Sequence, residues 1–426
     1  MKPPNRLLSL AMFVTFGILA TLSVIYFVLR TASASGATDF HSYWYAGHFI
    51  RQGIDPYTAF IKNIHPRLPI MYIDGHVVTE LPVAQPGLAR VPANTPLMVE
   101  MLSIFSLLSW PTAKFLWMLC NFLIVLTIPF FAIRLFPNLR SLPFKSKVLL
   151  VLIFLSLFGT RNTIGNGQTS AIVYATMLLA ISTNKDWLGG IALGIALSKY
   201  SLSLPAVMLL MLEKQYCKIV GGCLLQILGL LLLSLITGEH LVNIIKSYLV
   251  IVQSHLGQPG IHIAAAFSRE WLGWLLTLLL SAAVISAIYF YLSKAKHSLS
   301  LLTRPLLRPI ILNILTLWVL LVTYHRAYDT LVTLTFISFG AELLLGPNNL
   351  SRNCQRTLAI AMGGIVVALI LPAKGTETII PGIALPPTFT WLRWHNLVVT
   401  LSLLSALLIS VWALYHPDLE HIDEGS

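Results

Sequence analysis

The sequence predicts an all-α integral membrane protein: a bundle of about twelve transmembrane helices, within a range of nine to thirteen, with a long first extracytoplasmic loop that carries interfacial helices. Three observations carry that expectation. Of 426 residues, 56% are hydrophobic and only 10% charged, whereas a soluble domain is about 25% charged. Apolar runs of about 20 residues, the length a bilayer core requires, recur along the whole chain. One stretch, from Thr31 to about Thr95, is long and polar and holds no such run. The chain 1–426 therefore reads as a single polytopic domain, with an outer loop over 31–112 and a cytoplasmic tail over 416–426. A net charge of +12 in a soluble chain would suggest nucleic acid. Here Lys/Arg-rich cytoplasmic loops account for it, and no nucleic-acid partner is expected.

Each element has its own justification. Lys2 and Arg6 precede an apolar run over 7–29. That run makes roughly 35 Å of helix, longer than a secretory signal core, so it reads as an uncleaved first span with its N-terminus inside. The loop opens with an amphipathic helix from Asp39, in which positions 40, 43, 44, 47 and 50 form an apolar stripe. His41, Ser42, His48, Arg51 and Gln52 fall on the other side, and Gly53 is placed to end the helix. A segment over 96–108 is too short to span and reads as interfacial.

Further spans follow at 113–134, 147–159, 168–183, 187–198, 201–213, 217–237, 271–293, 309–323, 329–345, 357–372 and 395–415. Alternating them puts both termini in the cytoplasm and makes a multi-pass protein of the cell (inner) membrane. Fifteen of the 28 Lys and Arg residues then lie inside, and five of the remainder sit in or beside the long loop, which the positive-inside rule largely exempts. The pair 187–198 and 201–213 forms a short hairpin with Lys199 at its tip. Two readings of Lys199 stand: a break lining a cavity, or a lysine snorkelling to the interface. The four cysteines make no disulfide framework or zinc pattern, and neither a metal nor a cofactor is expected.

Polar residues then gather on the outer side: Asp39, the run Arg161 to Gln168, Lys199, and the run Tyr324-His325-Arg326-Ala327-Tyr328-Asp329. Ionisable groups at membrane depth cost a few kcal/mol each and usually mark a site. Asp39 reads either as the N-cap of its helix or as a catalytic carboxylate. Asp55 reads as part of a turn; Asp74, Glu80 and Glu100 read as loop acids without helical support. Asp329 has the alternative of pairing with Arg326 at i+3.

Asp39 to Tyr57, with Gly53-Ile54-Asp55-Pro56-Tyr57 at its end, resembles glycosyltransferase family 87, whose members are membrane enzymes of the GT-C fold similar to polyprenyl-phosphate-mannose-dependent mannosyltransferases. Thr95-Pro96-Leu97, Gly167-Gln168, Gly189-Gly190-Ile191-Ala192-Leu193-Gly194 leading to Lys199, and Tyr324 to Asp329 add to the resemblance, which covers roughly 7–345. Thr95 stands where a second proline is common in the family. The resemblance implies a polyprenyl-phosphate-linked sugar as donor, a glycan or glycolipid as acceptor, and inverting transfer. It makes Asp39 the base, Lys199, His325 and Arg326 the phosphate-binding cations, and Gln168, Asn166 and Tyr43 the groups around the sugar. The alternative from another class is a secondary transporter or a flippase of lipid-linked sugars, although no two-half repeat is visible.

Overall fold

A chain this apolar must satisfy its backbone within helices, because the bilayer core has no water to do so. The computed structural model describes residues 6–33, 36–62, 71–73, 76–78, 93–256, 260–266, 270–294, 306–345, 350–371 and 391–415. Apart from one short hairpin, the regular structure in it is helical. The acids Asp74 and Glu80 and the tail 416–426 lie outside the described residues.

Helix α1 (Arg6–Ala32) is the first span, and α2 (Thr38–Arg51) opens the loop. Every position of the expected stripe in α2 is buried, and Gly53 follows with φ +70. His48, expected on the polar face, is buried as well, edge-on to Trp44 at 4.4 Å. The capping role expected for Asp39 does not occur. The N-cap is Ala37, whose left-handed backbone is fixed by its N–H donating to Gly165 O at 3.1 Å, and Asp39 sits at the second helical position with its carboxylate accepting from Gln168. Helix α3 (Pro56–Ile61) is instead capped by Asp55, which accepts from the N–H groups of Tyr57 and Thr58 at 3.1 and 3.0 Å. Strands β1 (Met71–Ile73) and β2 (His76–Val78) pair antiparallel. The sequence reading placed no strand here, although Asp74-Gly75 between these β-branched and aromatic residues is a strong hairpin signal.

Helix α4 (Pro96–Ser103) continues as a 3-10 turn to Leu107 and matches the expected interfacial segment. Glu100 lies inside it, which corrects its reading as an unsupported loop acid. Both of its carboxylate oxygens are buried without a partner, and burial pushes its pKa up to about 8. The sign follows from linkage: a carboxyl favoured as the neutral acid in the fold destabilises it increasingly as pH rises from the ordinary 4.5 to about 8. Glu100→Gln is expected to melt above wild type at pH 8.5, with the gap closing as pH falls toward 5. A pH-independent gap in Tm would refute this.

The bundle proper follows: α5 (Trp110–Arg134), the short α6 (Pro137–Ser141), then α7 (Phe144–Ser156) and α8 (Phe158–Asn166), an apolar pair bent by 62° at its break, the form of a broken span or a re-entrant loop. After α9 (Ser170–Ser182) come α10 (Asp186–Ala196), α11 (Tyr200–Leu212), α12 (Tyr216–Thr237), α13 (Leu241–Leu256), α14 (Glu270–Lys294), α15 (Leu307–Val322), α16 (Leu334–Leu345), α17 (Arg352–Ile370) and α18 (Trp391–Leu414). Among the described residues, eight helices are long and apolar enough to cross a bilayer, or nine with the bent pair, against the twelve expected. The difference has a simple origin. Helices α9 and α15 are apolar but short, and the run from Asp186 to Leu212 counts once.

That run is nevertheless folded back on itself. Straight, its 27 residues would part their ends by about 40 Å. Arg308 joins those ends instead, donating to Glu213 Oε1 at 2.5 Å and to Ile181 O at 2.7 Å. A Cβ on Gly190 would lie 3.2 Å from Gly221, and one on Gly194 would meet Leu225 at 2.7 Å. Helices α10 and α12 thus run parallel, so α11 must return. The corner is Lys199, with φ −126 and ψ 75.

These contacts also sort the molecule into two ends. One carries Arg134, Arg140, Lys185, Lys214, Lys218 and Arg308 near the α5–α7, α9–α10 and α11–α12 junctions. The other carries the N-terminus of α2, the α8–α9 junction and the Lys199 corner. The cations at this second end have local work: Arg30 donates to Gly165 O, Lys114 to Ser33 O and Arg161 to Ile370 O, at 3.3, 2.7 and 2.6 Å. They meet the negative ends of helices.

Candidate functional site

At that second end the helices leave a cavity of about 430 Å³. Its position follows from local chain geometry. Gly167, with φ +65, closes α8 with paired bonds from its own N–H to Ile164 O and from Gln168 N–H to Thr163 O. A Cβ there would sit 2.9 Å from Phe40 Cβ, so only glycine lets α2 approach this turn. Trp117 Nε1 and Asn121 Nδ2 then donate to Gly167 O and Gln168 O at 2.8 and 3.0 Å, which fixes the Gln168 side chain where it donates to the Asp39 carboxylate. Asp39 and Gln168 both line the cavity, as does Tyr43, whose hydroxyl meets Thr169 Oγ1 at 3.1 Å. Burial pushes the Tyr43 phenol up, with Asp39 and Asp329 adding to it and the Thr169 bond opposing, so it serves as a neutral hydroxyl.

The Lys199 corner meets the start of the last buried span. Lys199 Nζ lies 2.5 Å from Asp329 Oδ1 and 2.9 Å from Ser170 Oγ, and 4.9 Å over the Tyr328 ring. Ser170 Oγ also donates to Asp329 Oδ1 at 2.7 Å. The snorkelling reading of Lys199 therefore gives way to a paired, cavity-lining one. The proposed i+3 pairing is likewise replaced: Asp329 binds Lys199 and His325, the latter through Nδ1 at 3.0 Å.

Two expected site residues stand back from the cavity. His325 is fully buried, bridging Asp329 and Thr323 Oγ1, with 2.8 Å to the latter, and it does not line the pocket. It orients Asp329 rather than meeting a ligand. Asn166 is taken up by Asn162 and Arg30, at 2.9 and 3.2 Å, on the far side of α8. Arg326 does line the cavity, with Nε donating to the Tyr324 hydroxyl at 2.8 Å. Burial works against its charge, but Tyr328, Tyr324 and Asp39 outweigh that and hold its pKa above the ordinary value.

The structure adds residues the sequence did not single out. Asn94 donates to Thr169 Oγ1 at 3.2 Å and accepts from the Tyr57 hydroxyl at 2.7 Å. Its place just before Thr95-Pro96-Leu97 was the available signal. Tyr324 and Tyr328 lay inside a noted motif. His262, Val252 and Trp274 had no signal, yet they line the cavity too. Trp274 is 63% exposed, so on this side the cavity borders the lipid-facing surface of α14.

Fold and site define a polytopic, all-α membrane protein with a polar, charge-paired cavity at one end of its bundle. No family model, curated protein or solved structure matches the chain.

Proposed function

We propose that this chain is a membrane glycosyltransferase that moves a sugar, mannose or another hexose, from a polyprenyl-phosphate donor to a glycan or glycolipid acceptor. The observation that carries this reading is one cavity holding a carboxylate, Asp39, together with two cations, Lys199 and Arg326, beside a lipid-facing wall. In an inverting transfer Asp39 takes the proton of the acceptor hydroxyl while the oxygen of that hydroxyl bonds to the anomeric carbon, and the bond from that carbon to the donor phosphate oxygen breaks. A positioned carboxylate base and charge-assisted donors at the leaving phosphate are the groups that step requires. Gln168 holds Asp39 in place. Arg326 suits phosphate by its forked geometry and Lys199 as a point charge. The cations at the α5–α7, α9–α10 and α11–α12 junctions lie at the end opposite the cavity, and by the positive-inside rule this supports a reaction at the extracytoplasmic face.

The test is incubation of purified protein with radiolabelled polyprenyl-phosphate sugars and a membrane extract. Label in a new covalent product supports transfer; donor movement across the bilayer without product supports a transporter or flippase. The orientation has its own test. In a cysteine-free background, a cysteine at the exposed Lys62 is expected to react with an impermeant thiol reagent outside intact cells, and one at the exposed Lys145 is not. The reverse labelling would place the cavity in the cytoplasm.

A further inference from the structure

Asn121 lies halfway along α5, an apolar helix long enough to span the membrane, and is 1% exposed. An amide side chain there is costly unless it hydrogen-bonds to another helix, and only half of this one does so. Its Nδ2 donates to Gln168 O at 3.0 Å and reaches Thr163 O at 3.5 Å, while Oδ1 is buried with no partner among the described residues. The two carbonyl acceptors fix which end of the amide faces the α8–α9 turn. What Asn121 contributes therefore passes through that turn. Trp117, one helical turn earlier on the same face of α5, donates from Nε1 to Gly167 O at 2.8 Å.

The turn held by these two side chains carries both members of the Asp39–Gln168 pair. Gln168 donates its N–H to Thr163 O at 2.9 Å and has its carbonyl held by Asn121. Both peptide groups beside its α-carbon are thus fixed, and its side-chain amide donates to Asp39 Oδ2. Asp39 meets the same turn from α2, whose start is anchored by the Ala37 N–H on Gly165 O at 3.1 Å. Phe40, beside it, stacks on Trp117 at 5.1 Å. Arg326, Tyr328 and Tyr43 act on Asp39 electrostatically. Asn121 and Trp117 carry no charge, so they act on it by geometry alone.

Resting on the transferase reading, we propose that Asn121 is a positioning residue for the base: through Gln168 it fixes where the Asp39 carboxylate stands, with Trp117 as the second anchor of the turn. Wild type, Asn121→Leu, Trp117→Phe, Gln168→Leu and the Asn121→Leu, Gln168→Leu pair would be compared in lipid nanodiscs. The first readout needs no substrate. It is the pH at which the Asp39 carboxyl protonates, taken from the infrared carboxyl band that disappears in Asp39→Asn. Leu branches at the same atom as Asn and leaves no orphaned oxygen, so Asn121→Leu is expected to melt near the wild-type temperature. Its Asp39 band is expected to titrate about one pH unit higher, because an amide donating to a carboxylate favours the ionised form and a displaced Gln168 no longer does so. Gln168→Leu should move the band at least as far, and adding Asn121→Leu to it should move it no further.

The second readout is transfer from a polyprenyl-phosphate sugar. In Asn121→Leu kcat is expected to fall about tenfold, since small displacements of a catalytic group are costly. Donor KM should stay unchanged, and the acid limb of the pH–rate profile should move up with the band. Trp117→Phe keeps an aromatic ring against Phe40 and should shift band and rate in the same direction; it decides the matter if Asn121→Leu does not fold. A band that titrates as in wild type in both variants would overturn the proposal. So would a shift that persists undiminished in the Gln168→Leu background, or a loss of kcat matched by a loss of Tm with the band unmoved, which would make Asn121 a packing residue. Wild type that transfers no sugar, while Asn121→Leu still moves the band, would sink the transferase reading alone and leave Asn121 as the residue that places Asp39.

Discussion

Asp39→Asn is expected to leave the protein folded and to lower turnover by about two orders of magnitude or more. The reason is local. Asp39 does not cap α2, since that position belongs to Ala37, so the substitution removes no helix cap. Asn keeps an oxygen able to accept from Gln168 while losing the basicity that takes up the acceptor proton. Asp39→Ala is the less clean test, because it also takes away the acceptor of the Gln168 amide. Both variants should bind the donor lipid nearly as well as wild type, because a base acts on the acceptor. The measurement is transfer rate against Tm for each variant. If Asp39→Asn keeps most of its activity, the base is elsewhere, and Asp329, the other carboxylate on the cavity, is the next candidate. Asp55 is not, since its oxygens are committed to capping α3.

The sequence made the helices legible and the roles of individual side chains only partly so. Long apolar runs and the stripe at 40, 43, 44, 47 and 50 translate directly into spans and a buried face, because burial follows period and length. The hairpin around Lys199 was also readable, from two runs too short to cross and basic flanks at both ends. Asp39 misled because residue preference at a cap is a local statistic, whereas the start of α2 is set by a long-range bond from Ala37 to Gly165. His325 misled for a related reason. Motif spacing says that His325, Arg326 and Asp329 lie together, but not that the 3-10 turn of Ala327–Thr333 turns Arg326 to the cavity and His325 behind Asp329. His262 is held at the site by the backbone bond from Ile261 to His325, which no pattern in the neighbouring residues announces.

Lys199→Gln separates what that lysine does for the fold from what it does for a ligand. Lys199 is 17% exposed and Asp329 3%, so the variant leaves a buried carboxylate with Ser170 and His325 but no full counter-charge. Breaking a buried pair by removing one partner costs about 3–5 kcal/mol, toward the lower figure here because Lys199 keeps some access to the cavity, and Tm should fall accordingly. Donor-lipid affinity, measured without acceptor, should fall at least tenfold, since a charge-assisted contact contributes about 1.5–3 kcal/mol. The two effects part in Lys199→Gln combined with Asp329→Asn. That pair of substitutions removes the stranded charge, so stability should return while donor binding stays weak. His325→Gln should do the opposite, lowering stability through Asp329 and sparing donor affinity, because His325 does not touch the cavity. Recovery of both stability and binding in the combined variant would mean that Lys199 serves Asp329 alone and that Arg326 carries phosphate recognition.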